Sequence, residues 1–118
     1  MLFRSDGFVI AVPKDKLDAY KAMAKECVPI WREFGAQDYV ECVGDDTPYG
    51  EVTSFPRAVQ AKEDEVVIFS WIVYDSLEAR KAVSKKAIED PRLKQFTRGL
   101  PFDGKRMIYG GFRPFMGM

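Results

Sequence analysis

At 118 residues, with 47% hydrophobic and 31% charged side chains, the chain has the length and balance of one soluble globular domain spanning residues 1–118. Its 18 basic residues match its 18 acidic ones, so bulk charge points neither to nucleic acid nor to an acidic surface. Histidine is absent and cysteine is limited to Cys27 and Cys42, which excludes Ser-His-Asp triads, Cys-His pairs, His-ligated zinc and four-thiolate sites.

No apolar run reaches the roughly 20 residues of a membrane span. The opening MLFRSDGF has neither the apolar core nor the cleavage site of a signal peptide. A reduced, cytoplasmic protein is the expectation.

In chain order, Asp6 to Val12 (DGFVIAV) predicts a first strand, apolar on both faces and stopped by Pro13. Asp15 to Phe34 predicts a helix, because Leu17, Tyr20, Ala24, Cys27, Trp31 and Phe34 recur at three- and four-residue steps. Pro29 inside that pattern predicts a bend near Lys25 or Glu26, and Gly35 supplies the stop. Ala36 to Val43 predicts a second, more polar strand carrying Asp38 and Glu41, and Gly44 to Thr53 a loop. Phe55 to Ala61 is expected to form a short strand that Pro56 confines to an edge.

The stretch around which the rest is organised is Glu65 to Asp75, EVVIFSWIVYD. Val66, Ile68, Ser70, Ile72 and Tyr74 fall on one face of this strand, and Val67, Phe69, Trp71 and Val73 on the other. Both faces are apolar, and the helices of one short chain comfortably cover only one. Ser76 then caps a helix to about Glu89, Asp90-Pro91 starts a short one, Gly99 to Gly104 is a loop, and Lys105 to Phe112 predicts the last strand. The order is the split βαβ pattern of a ferredoxin-like α+β sandwich with an antiparallel sheet. That topology puts the first strand beside the strand before the second helix, and these are the two runs that are apolar on both faces.

Four residues are candidates for a ligand site: Glu41, Trp71, Arg106 and Tyr109. Trp71 and Phe69 either wall a pocket or form the core of a dimer. Arg106 either pairs bidentately with a ligand carboxylate or phosphate, or makes a salt bridge with Asp103 or Glu41. Arg106 and Tyr109 lie on opposite faces of an ideal strand, so sharing one pocket requires a distortion at Gly110-Gly111 or a partner subunit. Glu41, Asp45 and Asp46 offer oxygen ligands, but their spacing matches no calcium loop, and no metal or cofactor is expected. Cys42 has no evident group to lower its pKa and reads as a small hydrophobe.

Charge is segregated along the chain. Arg80 to Arg106 holds nine basic residues against three acids, and Asp38 to Glu65 holds eight acids against two basic residues. A basic second helix can follow a phosphate backbone, and the compensating acidic segment weakens that attraction.

DGFVIAVP, REFGA, VEC followed by DD, FSW, DPR and the closing PFDGKRMIYGGF together resemble the YbaA-like family of uncharacterised bacterial proteins, a domain-of-unknown-function family. The resemblance runs from about Asp6 to Phe112. It implies the dimeric α+β barrel superfamily, whose ferredoxin-like subunits pair through their sheets, and it brings no activity with it. The expectation is a cytoplasmic homodimer that binds or transforms a small molecule, an anionic one if Arg106 contacts it. Whether it is an enzyme stays open. The alternative is a nucleic-acid-binding module using Arg80 to Arg106.

Overall fold

The computed structural model describes residues 2–117. Two ten-residue strands, β1 (Arg4–Pro13) and β3 (Glu65–Tyr74), pair antiparallel along their whole length, from Arg4 opposite Tyr74 to Pro13 opposite Glu65. β2 (Asp38–Val43) adds to the outer edge of β3, and β4 (Ile108–Phe112) to the outer edge of β1. The sheet order is β2-β3-β1-β4, with every pair antiparallel. The two runs apolar on both faces are the central strands, as the α+β sandwich requires.

Helices α1 (Leu17–Phe34) and α3 (Leu77–Glu89) cover one face. Tyr20, Leu17 and Met23 of α1 pack on Ile10, Val12 and Ile68, while Val83 and Ala79 of α3 pack with Ile72 and Tyr74. α1 follows a short 3₁₀ turn at Lys14–Lys16 and ends at Gly35, whose φ of 118° is open to a residue without a Cβ. The helix continues through Pro29, which removes one rung from its hydrogen-bond ladder without ending it. Ser76 caps α3 by accepting from the Ala79 amide, and Asp90 caps the four-residue α4 (Pro91–Lys94) by accepting from the Arg92 amide.

Two predicted boundaries change character. Phe55 to Ala61 is not a strand: Phe55–Ala58 is a short helix, α2. Ser54 supplies the cap, its Oγ accepting from the Arg57 amide at 3.1 Å, and Pro56 is pre-set for the first helical turn. Lys105 and Arg106 do not belong to the last strand either, since Gly104–Arg106 forms a 3₁₀ turn capped by Asp103.

Among the described residues, the second face of the sheet is covered only at one end. Val59 and Ala61, just after α2, close over Val9, Ala11 and Val67. Beyond them Phe69 is 40% exposed, Ile108 44% and Phe112 60%, with Trp71 half-buried among them.

A polar network ties α3 to the sheet. The buried Asp6 carboxylate accepts from the Tyr74 hydroxyl at 2.9 Å and pairs with the Arg80 guanidinium at 2.7 Å. That guanidinium lies against Gly111, where a Cβ would approach Arg80 Nη2 to 2.6 Å. A Cβ at this position would push the end of the Arg80 side chain aside.

Candidate functional site

On the helix-covered face, one level of the sheet carries a row of side chains from all four strands. Glu41 on β2 sits opposite Ser70 on β3, Ser70 opposite Phe8 on β1, and Phe8 opposite Tyr109 on β4. The neighbours of Ser70 along its own face, Ile68 and Ile72, are fully buried. A hydroxymethyl group between two such side chains fills far less space than they do, and a chamber of about 180 Å³ is left between the sheet and α1. Tyr20, Cys27 and Trp31 roof it, recurring on α1 at the steps of seven and four residues that keep one face. Phe102 and Met107 close the side next to β1.

Among the described residues, Glu41 is the chamber's only charged lining residue. Its Oε1 accepts from the Tyr20 hydroxyl at 2.7 Å and its Oε2 from the Tyr39 hydroxyl at 3.0 Å. Burial pushes the carboxyl pKa above its ordinary value, and the two phenol hydrogen bonds only partly oppose that shift. The same burial, followed by the nearby Glu41 charge, raises both tyrosines, so they remain donors. The Cys27 thiol is pushed up to about 11, mainly by burial, which leaves it protonated and a poor nucleophile. A carboxylate offers about four acceptor positions, and the tyrosines occupy two. Glu41 can thus accept a further hydrogen bond or take up a proton.

A second hollow, about 380 Å³, adjoins the chamber on the β2 side. It shares Tyr20, Ala24 and Glu41 with the chamber, and Val28, Pro29, Val43 and Ile68 give it apolar walls. Lys21 and Lys25 stand at its margin.

The four predicted site residues are not gathered in one place. Glu41 lines the chamber, and Tyr109 shares its cross-sheet row but is 71% exposed, stacked on Phe8 at 6.2 Å between ring centroids. Trp71 projects from the opposite face, packed on Phe69 at 5.7 Å, beside a depression of about 370 Å³. That depression exists because Gly7, paired with both Trp71 and Gly110, contributes no side chain there. Arg106 is engaged elsewhere. Its guanidinium binds both oxygens of Glu65 at 2.8 and 2.7 Å, Asp103 at 3.1 Å and the Gln60 carbonyl at 2.8 Å. The partner anticipated for it in Glu41 is not the one it takes. Among the described residues, no three His, Cys, Asp or Glu side chains lie close enough to hold a metal ion.

The sequence matches the family described as "Protein of unknown function (DUF1428)" over residues 5–104. The chain belongs to this family. It is also 57% identical over 107 residues to "Uncharacterized protein YbaA" of Escherichia coli (strain K12), covering 91% of this chain and 92% of that one. The same figures hold for the protein of that name from Shigella flexneri. Among solved structures, a putative antibiotic biosynthesis monooxygenase from Chloroflexus aurantiacus J-10-fl matches with a TM-score of 0.55 at 22% identity, over 100% of this chain and 97% of that one. That likeness is one of fold. Among the described residues, no helix is long and apolar enough to cross a membrane.

Tyr20, Tyr39 and Ser70 were not singled out from the sequence as site residues, although two signals for them exist. Ser70 is the one small polar residue on an otherwise large apolar strand face, and Tyr39 shares a strand face with Glu41 two residues on. Tyr20 carries no such mark, because an inward tyrosine on a helix stripe is ordinary core.

The raised pKa of Glu41 has a definite consequence for stability. A carboxyl whose folded pKa lies above its unfolded value of 4.5 stabilises the fold fully below that value. The contribution is lost as pH rises through the folded pKa. Glu41→Gln should therefore flatten the decline in unfolding free energy as pH rises above about 4.5. Urea midpoints measured across that range check this, and an unchanged slope in the variant would contradict it.

Proposed function

We propose that the protein binds a small molecule in the chamber between α1 and the sheet, with Glu41 as its polar anchor. The observation that carries this reading is the pairing of an apolar, aromatic enclosure with one carboxylate that keeps free acceptor positions. Small-molecule sites commonly combine such an enclosure with a few convergent polar groups. A cavity of about 150 Å³ accommodates a benzene-sized molecule, so about 180 Å³ suits a single-ring ligand or part of a larger one extending into the adjoining hollow. Glu41 can also take up a proton, because burial raises its pKa above the ordinary carboxylate value.

The corresponding test fills the chamber. Ser70→Leu should keep the fold, since it adds apolar volume where space exists. Compounds that raise the melting temperature of the wild-type protein in a small-molecule screen should leave the variant unshifted. A ligand at about 100 times its dissociation constant adds about 2.7 kcal/mol to stability. Hits that stabilise both proteins equally would place binding elsewhere.

Assembly follows from the other face of the sheet. We infer a homodimer paired through the part of that face that α2 and Val59 leave uncovered, where Phe69, Trp71, Ile108 and Phe112 lie together. The nucleic-acid alternative rests on the basic segment, three of whose arginines are held by carboxylates. Arg80 pairs with Asp6, Arg92 with Glu33 and Asp90, and Arg106 with Glu65 and Asp103, which leaves mainly lysines for phosphates.

A further inference from the structure

The charge and the wall chemistry of the chamber specify more than its size. Five aromatic residues line it: Phe8 and Tyr20, Trp31 and Tyr39, and Phe102. Tyr20 meets Phe102 edge to face at 5.8 Å, and Trp31 meets Tyr39 likewise at 6.1 Å. These pairs are not stacked, so their rings present faces in different directions. Ring faces carry negative potential, and a cation enclosed by several of them is attracted to each.

When ionised, Glu41 adds a negative charge to the same enclosure, and among the described residues no basic side chain lines it. The two groups that bind the carboxylate, Tyr20 and Tyr39, are neutral donors, so its charge is solvated but not neutralised. Other basic groups nearby are committed or displaced. Arg106 is held by Glu65 and Asp103, while Lys21 and Lys25 belong to the adjoining hollow. An anionic ligand would meet the Glu41 charge in a poorly solvated space, with no counter-charge on the chamber wall. A neutral ligand would leave that charge as it is. A cation would satisfy both the carboxylate and the ring faces.

We propose that the chamber selects a small organic cation, a primary or methylated ammonium group carried on an apolar body of about one ring, with Glu41 as counter-ion and the aromatic side chains as its cage. This rests on the chamber being the binding site, and it reverses the preference for an anion that a free Arg106 would have given. The ammonium N–H groups would use the acceptor positions on Glu41 that the tyrosines leave open, and the apolar body would lie against Met23 and Met107.

Three single-ring probes of one size separate the possibilities: benzylamine, benzyl alcohol and benzoate, titrated calorimetrically into the full-length protein at neutral pH. Benzylamine should bind about 30-fold more tightly than benzyl alcohol, the scale expected of a desolvated cation among aromatic rings. Benzoate should be the weakest of the three. Glu41→Gln, nearly isosteric, should abolish the preference for the amine over the alcohol. Ser70→Leu should weaken all three, with circular dichroism and melting temperature showing that each variant is folded. Equal binding of amine and alcohol, or an amine preference that survives Glu41→Gln, would overturn the charge selectivity and leave the chamber standing as a site. Benzoate binding most tightly would overturn it too. Absence of binding by all three up to millimolar concentration, or binding unaffected by Ser70→Leu, would overturn the chamber reading itself.

Discussion

Replacing Arg106 by Met is expected to destabilise the protein by about 3 kcal/mol or more and to lower its melting temperature by on the order of 10 °C. The Glu65 side chain is only 3% exposed and Arg106 16%, and the two meet in a two-point contact. Removing the cation leaves an almost fully buried carboxylate whose one remaining hydrogen-bond partner among the described residues is the Lys62 amide, at 2.7 Å. The same change frees the Gln60 carbonyl, which Arg106 holds at a residue with φ of 52°, a conformation that costs about 1 kcal/mol or more outside glycine. Arg106→Lys should recover only part of the loss, since an ammonium cannot make the forked contact. The Arg106 hydrogen bonds hold the Glu65 pKa down to about 2. This pair therefore stabilises the fold above the ordinary value of 4.5 and loses that contribution as pH falls toward about 2. Urea titrations near neutral and acid pH should show the Met variant most impaired at neutrality and converging with the wild type in acid. A variant as stable as the wild type at neutral pH would show Arg106 to be free for a ligand after all.

The fate of Arg106 illustrates how far the sequence reaches. Residues whose placement follows from periodicity were legible: β1 and β3 declare themselves central because each carries apolar residues on both faces, and α1 because its stripe repeats at three and four. Even the inward turn of Glu41 was half-visible, since strand alternation sends either Glu41 or Cys42 toward the helices. Of the partners of Arg106, Asp103 was legible and Glu65 was not. Glu65 lies 41 residues earlier, and only the antiparallel pairing that sets Pro13 against Glu65 brings this end of the sheet to the turn before β4. Asp6 and Arg80 are likewise separated by 74 residues. Local chemistry misled at Phe55 to Ala61 for another reason. Pro56 by itself reads as a limit on a strand, whereas Ser54 before it makes the same proline a helix starter. The chamber is not legible because it is an absence: it depends on Ser70 being smaller than Ile68 and Ile72 at a level that only the four-strand register defines.

Trp71→Asp is expected to convert the protein from a dimer to a monomer, with a loss in dimer affinity of about 100-fold or more. On the uncovered face Phe55, Phe69 and Trp71 form a run of rings, with centroids 6.0 and 5.7 Å apart, and Ile108 and Phe112 continue it across β1 onto β4. Val9 on the same face is already 93% buried, so this is a core surface at one end that opens toward the other. Four-stranded sheets with helices on one side must cover the second side or leave it apolar and wet, and a stable pairing of such faces buries on the order of 2,000 Å² in total. A carboxylate at Trp71 would have to be desolvated at the centre of that contact, with only apolar groups opposite. Because Trp71 also packs on Phe69 within the chain, the substitution alone does not separate folding from assembly. Ile108→Lys does: Ile108 lies on the same face at the edge strand, 44% exposed, and its loss should weaken pairing while sparing the monomer. Ile88→Asp, at a 74% exposed position on α3, serves as the control and should leave assembly unchanged. Sedimentation at micromolar concentration should give twice the 13.5 kDa chain mass for the wild type and the control, and mostly the single-chain mass for Ile108→Lys. A wild-type monomer under those conditions would remove the dimer, and the half-exposed Trp71 would then have to be explained by a different partner.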